Sequence, residues 1–196
     1  ASQSLCVINA AYTYDLQLLL KLREVFPDVS FREVDGNSLS HTFEHLSLDE
    51  QDEIASFVAF AERTLRPYNC LVEVRKFSPE DLPALYTASE EASFRRTIER
   101  TKEVTDSFWS SVLDNLDEGL TDDADGRLCF NYRNPVINKV CRMDDETLLQ
   151  FSIQVLYVQA LMLGHRPLNS KEMKLFNEGL MGLVAWGADL IVDGIQ

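Results

Sequence analysis

The sequence predicts an α+β fold: a small β-α-β segment followed by a mixed-sheet domain that closes with a C-terminal helical hairpin. Three observations carry this. Short apolar runs of strand length alternate with stretches of helical periodicity. The chain has 196 residues, 45% hydrophobic and 26% charged, enough to bury a sizeable core without disulfides or metals. The last two helical stretches are long and unusually apolar. The chain divides into a β-α-β segment at 1–35, a linker and connecting helix at 36–66, and a C-terminal domain at 67–196.

Leu5 to Ile8 is a short apolar run suited to a buried strand. Asp15 to Phe26 sets Leu16, Leu19, Leu20 and Leu22 on a helical stripe that Pro27 ends. Val29 to Val34 alternates like a strand, which completes a β-α-β unit. Gly36 to Ser40 is a polar linker. Ser47 with Glu50 forms a capping box for a helix whose apolar stripe is Ile54, Phe57, Val58, Ala61 and Leu65. Pro67 stops it. Leu71 to Phe77 alternates as a strand with one covered face, and Ser78-Pro79 with Leu82-Pro83 brackets a turn or short helical piece.

Ser93 to Leu116 is the clearest amphipathic helix, with Phe94, Ile98, Thr101, Thr105, Phe108, Val112 and Leu116 at three- and four-residue spacing. Phe108-Trp109 and Val112-Leu113 widen the stripe beyond what one packing face needs. Asp117 to Gly126 is acidic and reads as a loop. Leu128-Cys129-Phe130 is a strand. Asn134 then caps a helix that begins at Pro135, because Pro disfavours helical geometry in the residue before it and suits the first helical position. Asp144 or Asp145 caps the next helix, which runs to Leu163 and ends at Gly164. Asn169 and Glu172 open the last helix, Ser170 to about Ile191.

The charge is uneven. Lys and Arg number 18 against 32 Asp and Glu, a net charge of −14. Such a surface repels phosphate backbones and anionic lipid, so neither nucleic acid nor membrane is an expected partner. Residues 127–196, however, carry seven acids and seven bases. In 148–163 only Gln150, Ser152, Gln154 and Gln159 are polar, and a helix that apolar needs cover on more than one side. Those glutamines also favour a buried soluble helix over a membrane span. Gly179, Gly182 and Gly187 lower helix propensity by about 1 kcal/mol each relative to Ala, but let another helix approach closely. The last two helices thus carry more apolar surface than one small domain can cover. Burying six of their large side chains between two chains supplies about 10 kcal/mol before entropic costs. A homodimer follows, with Leu156, Leu163, Phe176, Leu180, Leu183, Val184 and Trp186 as its interface and two hairpins forming a four-helix bundle.

Leu128-Cys129-Phe130-Asn131-Tyr132-Arg133-Asn134-Pro135-Val136-Ile137 resembles the strand-to-helix signature in the C-terminal domain of the heat shock protein 90 family. Leu156-Tyr157-Val158-Gln159-Ala160-Leu161-Met162-Leu163-Gly164 is similar to that family's apolar helix in the same domain, and the spacing between the two agrees. Cys70 to Tyr86 resembles the strand and turn that open the domain. The likeness covers 67–196 well and 1–66 more loosely, as the end of the family's middle domain and its connecting helix.

The resemblance implies the C-terminal part of an ATP-dependent molecular chaperone, with the hairpin as dimerisation element. It implies a cytoplasmic stress-response protein that binds unfolded clients and assists folding. ATP and magnesium would belong to a nucleotide domain outside this stretch, so no cofactor, nucleotide site or catalytic residue is expected here. The abrupt strand near the start fits a piece of a longer protein. The ending Val192-Asp193-Gly194-Ile195-Gln196 lacks the acidic tail of eukaryotic members and points to the bacterial high-temperature protein G type. In that type a helix ahead of the Asn-Pro signature exposes apolar residues to clients. Phe108, Trp109, Val112, Leu113 and Leu116 fall there, with Trp109 and Leu113 expected to point more outward.

The alternative reading is a fragment of a small cytosolic α/β enzyme with an unidentified site. Three constellations bear on it. His41 and His45, with Glu44 and Asp49 nearby, could share a metal on a helix, but the surroundings read as solvated linker. Cys141 and His165 could pair as nucleophile and base, but nothing orients the histidine. Asp122, Asp123 and Asp125 lack the closing glutamate of a calcium loop. Cys6, Cys70, Cys129 and Cys141 do not cluster and read as buried free thiols of a reducing compartment. Asn131 is expected to hydrogen-bond the following backbone and fix the turn.

Overall fold

A computed structural model describes residues 14–26, 28, 43–104 and 126–193. Its elements in chain order are helix α1 (Asp15–Val25), α2 (Leu48–Glu53), α3 (Ala55–Leu65), a 3-10 turn (Arg66–Tyr68), strand β1 (Cys70–Arg75), β2 (Ala84–Ala88), α4 (Glu90–Val104), β3 (Gly126–Asn131), α5 (Pro135–Val140), α6 (Glu146–Leu163) and α7 (Ser170–Asp193). This is an α+β fold with a terminal helical hairpin. The two strands expected at Leu5–Ile8 and Val29–Val34 lie outside the described residues.

The sheet has the order β1-β3-β2, with β3 parallel to β1 and antiparallel to β2. Cys70, Val72 and Val74 of β1 are buried. Opposite them Leu71 is exposed, and Glu73 pairs with Arg127 across the ladder at 2.6 Å. Alternation along β1 thus separates a core face from a charged one. Helix α3 lies against β1, α6 against β2, and the two helices touch. Phe57 of α3 meets Phe130 of β3 edge-on at 5.2 Å, and Tyr157 of α6 meets Tyr86 of β2 at 6.1 Å.

Three local expectations are refined. The helix read from Ser47 to Leu65 is two helices, broken at a turn on Ile54, whose backbone has left helical values (φ −102, ψ 6). Its capping box is present: Glu50 N donates to Ser47 Oγ and Ser47 N to the Glu50 carboxylate. The Lys76 ammonium, with help from the Ser47 amide, holds that carboxyl below its ordinary pKa. The stretch taken as a connector supplies Ile54, Phe57, Ala61 and Leu65 to the same core as the sheet and α6. The piece between Pro79 and Pro83 is followed by a strand, β2, that was not expected. Gly164 does close α6, but with φ −79; the left-handed residue is His165, with φ 53.

The Asn-x-x-Asn-Pro stretch is a polar junction. Asn131 is fully buried. Its Oδ1 accepts from Arg133 N (3.1 Å), the turn bond expected, and also from Phe77 N (3.2 Å). Its Nδ2 donates to the carbonyls of Phe77, Pro79 and Leu82. Asn134 Oδ1 caps α5 through Val136 N and Ile137 N, while its Nδ2 donates to Glu80 O at 2.8 Å. Two asparagines therefore staple the whole β1–β2 connection to the start of α5, and a buried side-chain amide that satisfies both its ends fixes one arrangement.

Candidate functional site

The hairpin is built from Asp145 onward. Asp145 caps α6 through Thr147 N (2.9 Å) and Leu148 N (3.0 Å). Leu148, Leu149, Ile153, Leu156, Tyr157, Val158 and Leu161 of α6 are buried. Helix α7 opens on the expected capping box: Glu172 N donates to Asn169 Oδ1 (2.8 Å) and Asn169 N to Glu172 Oε2 (3.0 Å).

The glycines of α7 do different things. A Cβ on Gly179 would stand 3.0 Å from Phe151 O and 3.1 Å from Gln154 Cβ, and one on Gly182 would strike the Phe151 ring at 2.4 Å. Both let α7 lie close on α6. A Cβ on Gly187 would meet no described residue within 4 Å. Phe151 lies near the start of α6, and beyond Gly182 the described residues of α7 are half-buried at most.

That continuation carries exposed apolar side chains. Leu163 (53% exposed), Leu180, Val184 and Trp186 (46%) are open, while Phe176 and Leu183 are half-buried. Leu156 differs from these: it is 9% exposed and sits inside the core, because it lies on the side of α6 that packs on the chain itself. It is removed from the expected interface. Met173, Met181, Leu190, Ile191 (67%) and Val192 extend the exposed face beyond the expected set. Leu180, Val184, Gly187 and Ile191 follow one another at four, three and four residues, a heptad-like seam with a bare glycine in its middle. Between Gly179 and Val192, Asp189 is the only charged residue, and it falls on the opposite side of the helix from that seam.

Phe108, Trp109, Val112, Leu113 and Leu116 lie outside the described residues, as do His41 and the Asp122–Asp125 stretch. Among the described residues, no three His, Cys, Asp or Glu side chains gather as a metal group would. His45 is exposed, and Glu44 is committed to Arg133 at 2.6 Å. Cys141 is buried and His165 is exposed in the turn between α6 and α7. Burial pushes the Cys141 thiol up to about 12, the reverse of an activated nucleophile.

One cluster was not foreseen. Glu172 is almost fully buried and accepts from Arg96 Nη1 (2.6 Å), Arg96 Nη2 (3.0 Å), Tyr157 Oη (2.9 Å) and Asn169 N. Arg96 also lies over the Tyr86 ring at 5.6 Å. Burial opposes the guanidinium charge, but the Glu172 hydrogen bond outweighs it and the Arg96 pKa rises. Burial, then the Glu172 charge, drives the Tyr157 hydroxyl well above its ordinary value. The local pattern showed only the cap; the partners of Glu172 come from distant elements.

No family model matches the chain, and no curated protein matches it.

Proposed function

We propose that this chain is a homodimerisation module, and that it belongs to an ATP-dependent chaperone of the heat shock protein 90 family. The observation that carries the first part is the seam of Leu180, Val184, Gly187 and Ile191, which α7 presents with no neighbour among the described residues within 4 Å of a Cβ at Gly187. A second copy fits it better than a membrane or a charged partner. The seam has coiled-coil spacing, its bare glycine permits close helix approach, and a net charge of −14 disfavours anionic lipid. The buried Asn131–Asn134 junction and the following apolar helix α6 support the family reading through their order and spacing, as the sequence likeness does. Client capture by Phe108, Trp109, Val112, Leu113 and Leu116 is the second part of the proposal and rests on sequence. The nucleotide chemistry, with ATP and magnesium, is assigned to a part of the protein beyond this stretch.

Sedimentation equilibrium tests the dimer. The wild-type chain should sediment as a dimer at micromolar concentration. Val184→Glu with Trp186→Glu should weaken it by at least about 100-fold, roughly 3 kcal/mol. The helical circular dichroism should be preserved, since both side chains are exposed in the single chain. A wild-type chain that stays monomeric throughout that range, or a double variant that dimerises as tightly, overturns the proposal.

A further inference from the structure

Helix α4 is joined to the rest of the molecule unlike any other element of the domain. Among its described side chains only Ala92 and Ile98 are buried, and neither belongs to the main core cluster. Phe94 is half exposed and Thr97 and Arg100 are open. Helix α4 packs chiefly against β2, one of the two edge strands. Two of its described side chains, Ser93 and Arg96 within one turn, hydrogen-bond the hairpin. Arg96 forms a two-pronged pair with Glu172 and donates from Nη2 to Pro167 O at 3.2 Å. Arg166 Nη1 donates to Ser93 Oγ at 2.9 Å. These three hairpin partners lie in the α6–α7 connection or the first turn of α7.

We propose that Arg96–Glu172 is a latch that holds α4 onto the α6–α7 hairpin, and that α4 detaches as a unit while the sheet and hairpin stay folded. Two features make it separable. Once Arg96 leaves, Glu172 keeps two hydrogen bonds from the hairpin itself, Tyr157 Oη and Asn169 N, so the start of α7 stays capped. Among the described residues α4 adds none to the main core, which is built chiefly by α3, α6 and the strands. An element with few core contacts and a polar anchor has the makings of a low-stability cooperative unit. The inference stands whether or not the chain dimerises.

Amide hydrogen exchange on the intact chain tests it. Arg96→Met keeps the aliphatic stem and removes the fork. It should speed exchange in α4 by at least about tenfold, and leave β1, β3 and α6 within about twofold of wild type. Glu172→Gln removes the charge and keeps one acceptor oxygen, enough for Asn169 N, while its amide NH2 can donate to the Tyr157 hydroxyl oxygen; it should shift α4 in the same direction by less. Arg96→Lys, with the charge but not the fork, should fall between wild type and Arg96→Met. Unchanged α4 protection in Arg96→Met overturns the proposal. So does a rise by one common factor in every element, which would make α4 part of the global unit. Sedimentation of the same variants reads the dimer separately, so neither result can be taken for the other.

Discussion

Helices α6 and α7 are both long and apolar enough to span a bilayer, yet 56% of α6 is buried and only 11% of the most apolar 18 residues of α7. The same kind of sequence has met two environments. Helix α6 lies between the sheet, α3 and α7, so neighbours reach most of its circumference. Helix α7 packs mainly on α6, and its later turns expose most of their apolar side chains. Apolar content says that a helix wants cover; it does not say which chain provides it. The lesson lies in the glycines. Two of them admit α6, and the third, Gly187, has no described residue within reach of a Cβ.

The largest test of this contrast is a matched truncation. Ile153 in α6 is fully buried and Ile191 in α7 is 67% exposed. In the Val184→Glu, Trp186→Glu background, at a concentration where sedimentation finds it monomeric, Ile153→Ala should cost about 3 kcal/mol in urea unfolding. Ile191→Ala should stay within about 0.5 kcal/mol there. Without those two changes, Ile191→Ala should lower stability increasingly as protein concentration rises, because only the dimer covers that side chain. Equal costs in the monomer would mean that α7 is covered within its own chain.

A smaller effect of opposite signs comes from the glycines. Gly182→Ala forces the Phe151 ring to move and should destabilise the monomer by about 1 to 3 kcal/mol. Gly187→Ala has room and gains helix propensity, so the monomer should become more stable by up to about 1 kcal/mol. The same Gly187→Ala should weaken dimerisation if the seam crosses there. Thermal melts of the monomeric background and sedimentation of the parent separate the two signs.

How much of this could be read beforehand depended on distance along the chain. The caps at Ser47, Asn134, Asp145 and Asn169 are visible because each acts within three residues, and each is present in the structure. Strand β2 was missed because Ala84–Ala88 is short, bracketed by Pro83, and becomes a strand through pairing with β3, Ala84 opposite Phe130. Arg96 and Glu172 are 76 residues apart, and nothing local links them. Leu156 and Leu163 sit on the same apolar helix, yet one is core and one is surface. Periodicity names the faces, and only packing decides which face is taken. The helix expected over Ser93–Leu116 is described as far as Val104.

The smallest effect concerns thiols, and it sharpens the same contrast from the covered side. Cys129 and Cys141 are buried, and desolvation raises both from 9.0 to about 12. A thiol whose folded pKa is raised binds its proton more tightly in the native state. Its contribution is therefore complete below pH 9 and is lost as pH climbs from 9 toward 12, where the unfolded chain ionises and the folded one does not. Stability should fall over that window, and replacing both residues with Ala should flatten the slope. At neutral pH a thiol reagent followed by peptide mapping should leave both unmodified. Val184→Cys places a thiol in the exposed seam of α7, and it should react at the rate of a free thiol in dilute protein. If a second chain covers that seam, labelling of Val184→Cys should slow as the protein is concentrated, while Cys129 and Cys141 stay protected at every concentration. Labelling of Val184→Cys that is independent of concentration would place this side of α7 away from the partner.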